Sequence, residues 1–435
     1  MNGARRRLAA SAAAVLLAML LLPAATTATW TSWSYTPVSE VSEVALSADG
    51  AAAFIGGDRI HCLNTAGGVE WKAWFGDHIS ATPDGKTIVC SLGGQIYWLD
   101  GDSGSPARDI EAGSPVRHLV ITPDGSRTIV ADAAGELTFY NAKGEEIRTV
   151  EPAEGTAIED MALSRDGNYL GVISREGTWL YSKYGSTRWE REGQTDGEGG
   201  QCIDLSANGR YAAAGSDAGL RYFNSTGGIV WERPCGMRIT AVAIAPTGNY
   251  VAAGSQNSIL SFFAANGTLL WKYNVGAAAG DGTPGGPGIT DLSPSRLDTV
   301  WILDLALSED GEYVLAGSTD KAVRLFSRDG TLVWSRMADA WVNHVGIAKD
   351  GATGIAVTKS MVIGLVNEPE PEAAPPDVAA ATLPMVPAAP IPGDPGNIPV
   401  IAPVPAAVPE IPQPTLRTIL AGGSPGRLLQ LLGFS

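Results

Sequence analysis

Seven residues before each of eight recurrent turn glycines stand Glu43, His78, His118, Asp160, Cys202, Ala241, Asp304 and His344. Three of the chain's four histidines share this register, together with three carboxylates and a cysteine. These side chains ligate transition metals or exchange protons near neutral pH. Held on a rigid frame, Glu43, His78, His118, Asp160, Cys202, Asp304 and His344 are candidates for a ligand- or partner-binding ring. They are equally suited to hydrogen-bonding returning loops, since polar groups in such places need partners. Opposite members of an eight-membered ring stand too far apart to share an ion, so the only candidate metal pairs are neighbours such as His78 with His118, or His344 with Glu43.

The frame follows from the turns. ALSADG, SATPDG, VITPDG, ALSRDG, DLSANG, AIAPTG, ALSEDG and GIAKDG close on Gly50, Gly85, Gly125, Gly167, Gly209, Gly248, Gly311 and Gly351. Their spacing is about 40 residues except before Gly311, with four short strands per unit, which is the period of propeller blades. The expected fold is therefore all-β, an eight-bladed β-propeller, with seven blades as the alternative count. The seven ring positions then encircle one mouth of the central channel. In the outer strand, Gly67, Gly185, Gly227, Gly267 and Gly330 are each followed four residues later by Trp71, Trp189, Trp231, Trp271 and Trp334. A glycine turn followed by an indole that fills the widening gap between blades accounts for the pattern, so these tryptophans are structural. Arg108 and Arg148 replace the tryptophan in units two and three, whose outer strands should pack less well. The eighth unit lacks a fourth strand, and TWTSWSYTP near the N-terminus is expected to supply it, with Trp33 in the position of Trp334; this removes exposed edges.

Residues 1–28 read as a secretory signal peptide, with Arg5, Arg6 and Arg7 ahead of an apolar run and small residues. The propeller is expected over 29–366. Residues 367–415 are rich in Pro and Ala, without Lys or Arg, and read as a disordered, extended stalk or linker. Residues 416–435 form a short C-terminal segment with two apolar pieces, able to dock at an interface. Asn274 to Val300 is a Gly/Pro-rich insertion between units six and seven, either a functional loop or a disordered one.

An exported chain permits disulfides, and Cys202 with Cys235 is the better pair, since both fall near the same end of neighbouring blades; Cys62 and Cys90 also lie on adjacent blades. Asn224 and Asn266 open glycosylation sequons in turns. The formal charge is -16, which disfavours nucleic acid as a partner. No convincing catalytic motif is found. The one Gly-x-Ser-x-Gly, Gly422 to Gly426, follows no strand and carries a proline after Ser424, so it is a turn rather than a nucleophile elbow.

LAGSTDKAVRLF resembles the WD-repeat pattern, while LNTAGGVEW and FNSTGGIVW resemble the tryptophan-docking repeat of quinoprotein propellers. Residues 30–366 are thus similar to the WD-repeat and quinoprotein (PQQ)-like propeller superfamily, although the Trp-Asp dipeptide is absent; eight blades agree better with the quinoprotein side. That resemblance implies either a pyrroloquinoline quinone dehydrogenase, with calcium and a vicinal disulfide, or a cofactor-free surface protein. No Cys-Cys occurs and no Asn, Glu and Asp set clusters in sequence, so no cofactor is expected. The expectation is a secreted or cell-surface scaffold, a monomeric propeller that binds a protein or cell-envelope component and attaches peripherally through its termini. The alternatives are an extracytoplasmic quinoprotein-type oxidoreductase and an envelope assembly factor.

Overall fold

The turns close through their own side chains. At each Ser/Thr-x-Asp-Gly, the hydroxyl donates to the carboxylate two residues on, as in Ser47 to Asp49 at 2.7 Å, Thr82 to Asp84 at 2.6 Å and Ser164 to Asp166 at 2.7 Å. The same hydroxyl accepts the N–H five residues later, from Ala52, Thr87 and Tyr169. Serine, threonine and aspartate favour such local bonds over strand ladders, so these residues stop one strand and start the next.

The computed structural model describes residues 29–38, 40–192, 200–234, 237–276, 300–349 and 351–368. The expected signal peptide, most of the insertion, the Pro-rich stalk beyond Glu368, the C-terminal segment and Cys235 lie outside these residues, while Asn367 and Glu368 belong to a propeller strand. What is described is all-β and forms eight antiparallel sheets, seven of four strands and one of three. In the three-stranded first blade, the long strand Ala52–Asn64 stands where the other blades have two strands. Eight blades, rather than seven, is the count.

Second strands such as Tyr211–Ser216 and Tyr313–Ser318 are buried at every position but the first, because they are flanked by strands and covered by blades on both faces. Outer strands expose most of their length and carry a register shift beside the glycine turn, seen at Tyr222/Phe223, Phe262/Phe263 and Leu325/Phe326. Such bulges, present in seven of the eight outer strands, twist an edge away from further pairing and so protect it from aggregation.

The outer-strand tryptophans do more than fill space. Trp231 Nε1 donates to Ala265 O at 2.8 Å, in the turn of the next blade, and Trp71 and Trp271 donate likewise to Gly101 O and Arg328 O. The turn glycine of that next blade lies on the indole. Gly267 has φ +77° and a Cβ there would sit 2.7 Å from Trp231 Cγ. Trp71, Trp189, Trp231 and Trp271 each form a latch with the following blade's glycine, Gly104, Gly227, Gly267 and Gly330. Trp189 Nε1 is buried without an acceptor, and Arg191 Nε makes the link instead, to Gly227 O at 2.7 Å.

In blades two and three, where Arg108 and Arg148 replace the indole, no residue of the outer strands Pro106–Glu111 and Glu146–Val150 is fully buried, as expected. Trp98, one strand further in, compensates. It is 1% exposed, with the Arg108 guanidinium 4.7 Å above its ring.

Ring closure is as expected. Thr29–Tyr35 pairs along its whole length with Val362–Glu368, from Thr29↔Glu368 to Tyr35↔Val362. Trp33 Nε1 donates to Thr65 O at 2.6 Å and its ring covers Gly67, so it latches blade eight to blade one. The Tyr35 hydroxyl meets buried His61 Nδ1 at 3.0 Å across the same seam. Because Thr29 and Glu368 are paired, both ends of the described propeller emerge together, on the face that carries the Asp-Gly turns.

Candidate functional site

The innermost strand of every blade is itself an edge, with half of its N–H groups turned away from its own sheet. Those groups need acceptors, and the ring residues supply them from the preceding blade. Glu43 Oε2 accepts from Ile79 N at 2.9 Å, Asp160 Oδ2 from Ile203 N at 2.9 Å and Asp304 Oδ2 from Val345 N at 2.8 Å. The second oxygens of Asp160 and Asp304 accept from the next residue in their own strands, Met161 and Leu305. A register shift just before the ring position, at Val41/Glu43, Ile158/Asp160, Gly200/Cys202, Ile239/Ala241 and Ile302/Asp304, re-aims these side chains toward the neighbouring blade. The ring is thus a girdle that stitches blade to blade.

The other ring positions vary this theme. His118 Nε2 lies 3.3 Å from Ile158 O on the next blade. Cys202 Sγ lies 3.9 Å from Ile239 O. Blade six has Ala241 at the ring position, and Thr240 Oγ1 donates to Ile302 O instead. His78 Nδ1 stands 3.5 Å from Glu43 Oε2, and His344 Nδ1 stands 3.9 Å from Asp304 Oδ2, so each of these histidines meets a carboxylate of the preceding blade. The cause is the acceptor bond that turns each carboxylate toward the following blade. No group of three His, Cys, Asp or Glu side chains is arranged to hold a metal ion among the described residues.

Asp204 belongs to the same girdle, two residues deeper than the ring. Its oxygens accept from Leu205 N and Ile244 N, both at 2.8 Å, and Ser80 Oγ plays this part for Ile121 N at 3.2 Å. Burial pushes Asp160 up to about 7 and Asp204 up to about 6, against the pull of the backbone N–H groups each accepts. Burial likewise raises Asp304, opposed chiefly by His344, and lowers His118, which His78 lowers further. The channel is therefore a place where protons are held unusually by several groups at once.

Accessible members of the ring are few. Glu43 and His78 side chains are each 33% exposed, that of Asp304 is 32% exposed and that of His344 is 42% exposed. Around them, on the face where inner strands begin, stand Trp301 at 41%, Trp341 at 59% and Met337 at 64% exposure. Trp301 O accepts from Thr319 N, and Val342 N, beside Trp341, donates to Ser318 O, so both indoles flank one turn of blade seven. The insertion leaves and rejoins the propeller at this place, where Val275 N and Val300 N both bond Ser258.

Cys235, the expected partner of Cys202, lies outside the described residues; Cys62, Cys90 and Cys202 are all buried. Burial drives all three thiols up, Cys62 to about 11 and Cys90 to about 12. Thiolate is the reacting form, so Cys62, Cys90 and Cys202 should resist an aromatic disulfide reagent at pH 8 in native protein and react at once in denaturant. Labelling of any of the three before unfolding contradicts this.

Residues 293–327 match the family model "WD domain, G-beta repeat", which covers the inner three strands of blade seven. "Telomerase protein component 1" of Mus musculus is 22% identical over 291 residues, 57% of this chain. The chain spans about a tenth of that protein's length (10%). Among solved structures, Chaetomium thermophilum Sqt1 bound to the N-terminus of the ribosomal protein L10 is 13% identical, with a TM-score of 0.61 over 76% of this chain and 97% of that one. Sqt1 in another crystal structure is 14% identical with the same TM-score of 0.61. These likenesses fall on the WD-repeat side of the resemblance rather than the quinoprotein side. The chain is an eight-bladed β-propeller with a WD-type repeat in its seventh blade.

Proposed function

We propose that this protein is a secreted or surface-displayed scaffold that binds a protein partner on the face where its inner strands begin. The observation that carries the reading is the pair of exposed indoles, Trp301 and Trp341, beside His344 on a rigid ring. Large exposed aromatic side chains on a well-ordered frame are the anchors that protein interfaces favour. Support for a protein partner also comes from the Sqt1 neighbour, which is bound to the N-terminus of a ribosomal protein. Both ends of the propeller leave from the opposite, turn-bearing face, so attachment through either terminus presents the indole face outward. The Pro/Ala-rich segment then serves as the spacer, and a cell-envelope component is the proposed anchor.

Site-specific photocrosslinking in the native host tests the reading. A crosslinker at Trp341 is expected to trap a discrete protein, and one at Tyr184, 51% exposed in an outer turn on the other face, is not. Adducts only from Tyr184 overturn it. Replacing His78 and His344 together is expected to weaken the Trp341 adduct without changing the melting temperature by more than a few degrees.

A further inference from the structure

A second register, two residues before each turn glycine, lies at the other mouth of the channel: Ala48, Pro83, Pro123, Arg165, Ala207, Pro246, Glu309 and Lys349. Backbone bonds tie these positions into a hoop, with Ala48 N to Pro83 O, Ala207 N to Pro246 O and Lys349 N to Ala48 O at 2.8–2.9 Å. All but three are alanine or proline. Of the charged three, Glu309 and Lys349 stand on adjacent blades and pair at 3.2 Å.

Arg165 stands three blades from that pair. It reaches across the channel, and its Nη2 donates to Leu307 O on blade seven at 3.4 Å. Asp204 is the carboxylate whose field it feels, but no hydrogen bond joins them; the Asp204 oxygens accept from backbone N–H groups instead. One long bond therefore leaves most of a five-donor guanidinium fork free. The fork lines a cavity of ≈ 710 Å³ that has Leu46, Val120, Ile121, Leu163 and Ile347 among its walls, with Asp166 and the Glu309–Lys349 pair also at its lining. Concave, mainly apolar cavities of this size with a few placed polar groups are the usual form of small-molecule sites.

We propose that this mouth binds a small monocarboxylate with an apolar body, Arg165 gripping the carboxylate and the aliphatic walls the remainder. A planar fork matches a carboxylate through two parallel bonds. With Lys349 matched by Glu309, Arg165 is the cavity's remaining cation, which suits one negative charge rather than two, and the apolar body must contribute to holding an anion that a chain of formal charge -16 repels. This site lies on the opposite mouth from the indole face and stands or falls separately from the partner proposed there.

The test is calorimetric titration of octanoate into the full chain at pH 7.5, with octylammonium as the control of opposite charge. Wild type is expected to bind octanoate at one site and octylammonium at least tenfold more weakly. Arg165→Gln and Arg165→Ala are expected to lose at least tenfold in octanoate affinity. Alanine already occupies this position at Ala48 and Ala207, so both variants should melt as wild type does. Absence of octanoate binding to wild type, wild-type affinity in either variant, or equal binding of octylammonium overturns the proposal.

Discussion

Trp231→Ala is expected to lower the unfolding free energy by about 3–5 kcal/mol, the range for deleting a large buried aromatic. Trp231 is 7% exposed, stacks on Tyr222 with centroids 5.1 Å apart and planes 9° apart, and lies 5.6 Å from Phe263. Removing it also strands the Ala265 carbonyl it bonds and uncovers Gly267 on the next blade. Two blades lose their shared surface, so the damage is not confined to one strand. Trp341→Ala, by contrast, removes a side chain that is 59% exposed, and its effect on stability should stay within about 0.5 kcal/mol. Urea unfolding of the two variants separates a latch from a surface anchor. Equal losses contradict the division of labour among the tryptophans. Gly267→Ala is the complementary change, since it adds a methyl where the indole already sits and does so at φ +77°. It should approach the loss seen for Trp231→Ala without altering any aromatic residue.

The girdle should make stability depend on pH in an unusual sense. Asp160 and Asp204 titrate in the folded ring at about 7 and about 6, against a usual value of 3.8. Between about pH 4 and 7 the folded state therefore holds more protons than the unfolded chain, and the stability these groups contribute falls as pH rises through that window. It is fully present only below the unfolded value. Turn aspartates such as Asp49, Asp84 and Asp329 are lowered by the hydroxyl and N–H bonds they accept, so their contribution is lost in the other direction, below about pH 4. His118 and His61 are lowered chiefly by burial and lose stability as pH falls through the histidine range. Comparison with Asp160→Asn isolates the carboxylate from these opposing groups. Asparagine cannot ionise, so the variant should gain on wild type between pH 5 and 7.5, by roughly 1–3 kcal/mol once screening by channel water is allowed for. A difference between the two proteins that is flat over this range, measured by urea midpoints, refutes the raised carboxylate.

Much of the frame was legible because the physics that sets it is local. A serine or threonine two residues before an aspartate or asparagine, followed by glycine, closes a turn whatever surrounds it, and so six of the eight inner turns announce themselves in the chain. The Gly-to-Trp spacing was legible for the same reason, as was the likeness of the Trp33 segment to that of Trp334. What each indole bonds was not, because its acceptor lies in the next blade. The ring showed its register but not its pairing. Register is a property of one strand, whereas the bulge that re-aims Asp160, and the Ile203 N–H it serves, depend on how two blades meet. Asp204 escaped notice because only one blade places a carboxylate at that depth. Arg165 escaped because its position reads as a turn residue, and its meaning emerges only when Glu309 and Lys349 are seen to satisfy one another.

The strand that carries the chain out of the propeller, Val362–Glu368, is paired on both sides, with Thr353–Val357 inside and Thr29–Tyr35 outside. Without the N-terminal strand it would be an edge that tension peels away bond by bond. With it, a pull on the chain beyond Glu368 runs along the strand and at right angles to its ladder bonds, loading two ladders together. The segment that closes the circle is thus also a mechanical clasp: a pull on the C-terminal end must shear two ladders at once instead of unzipping one.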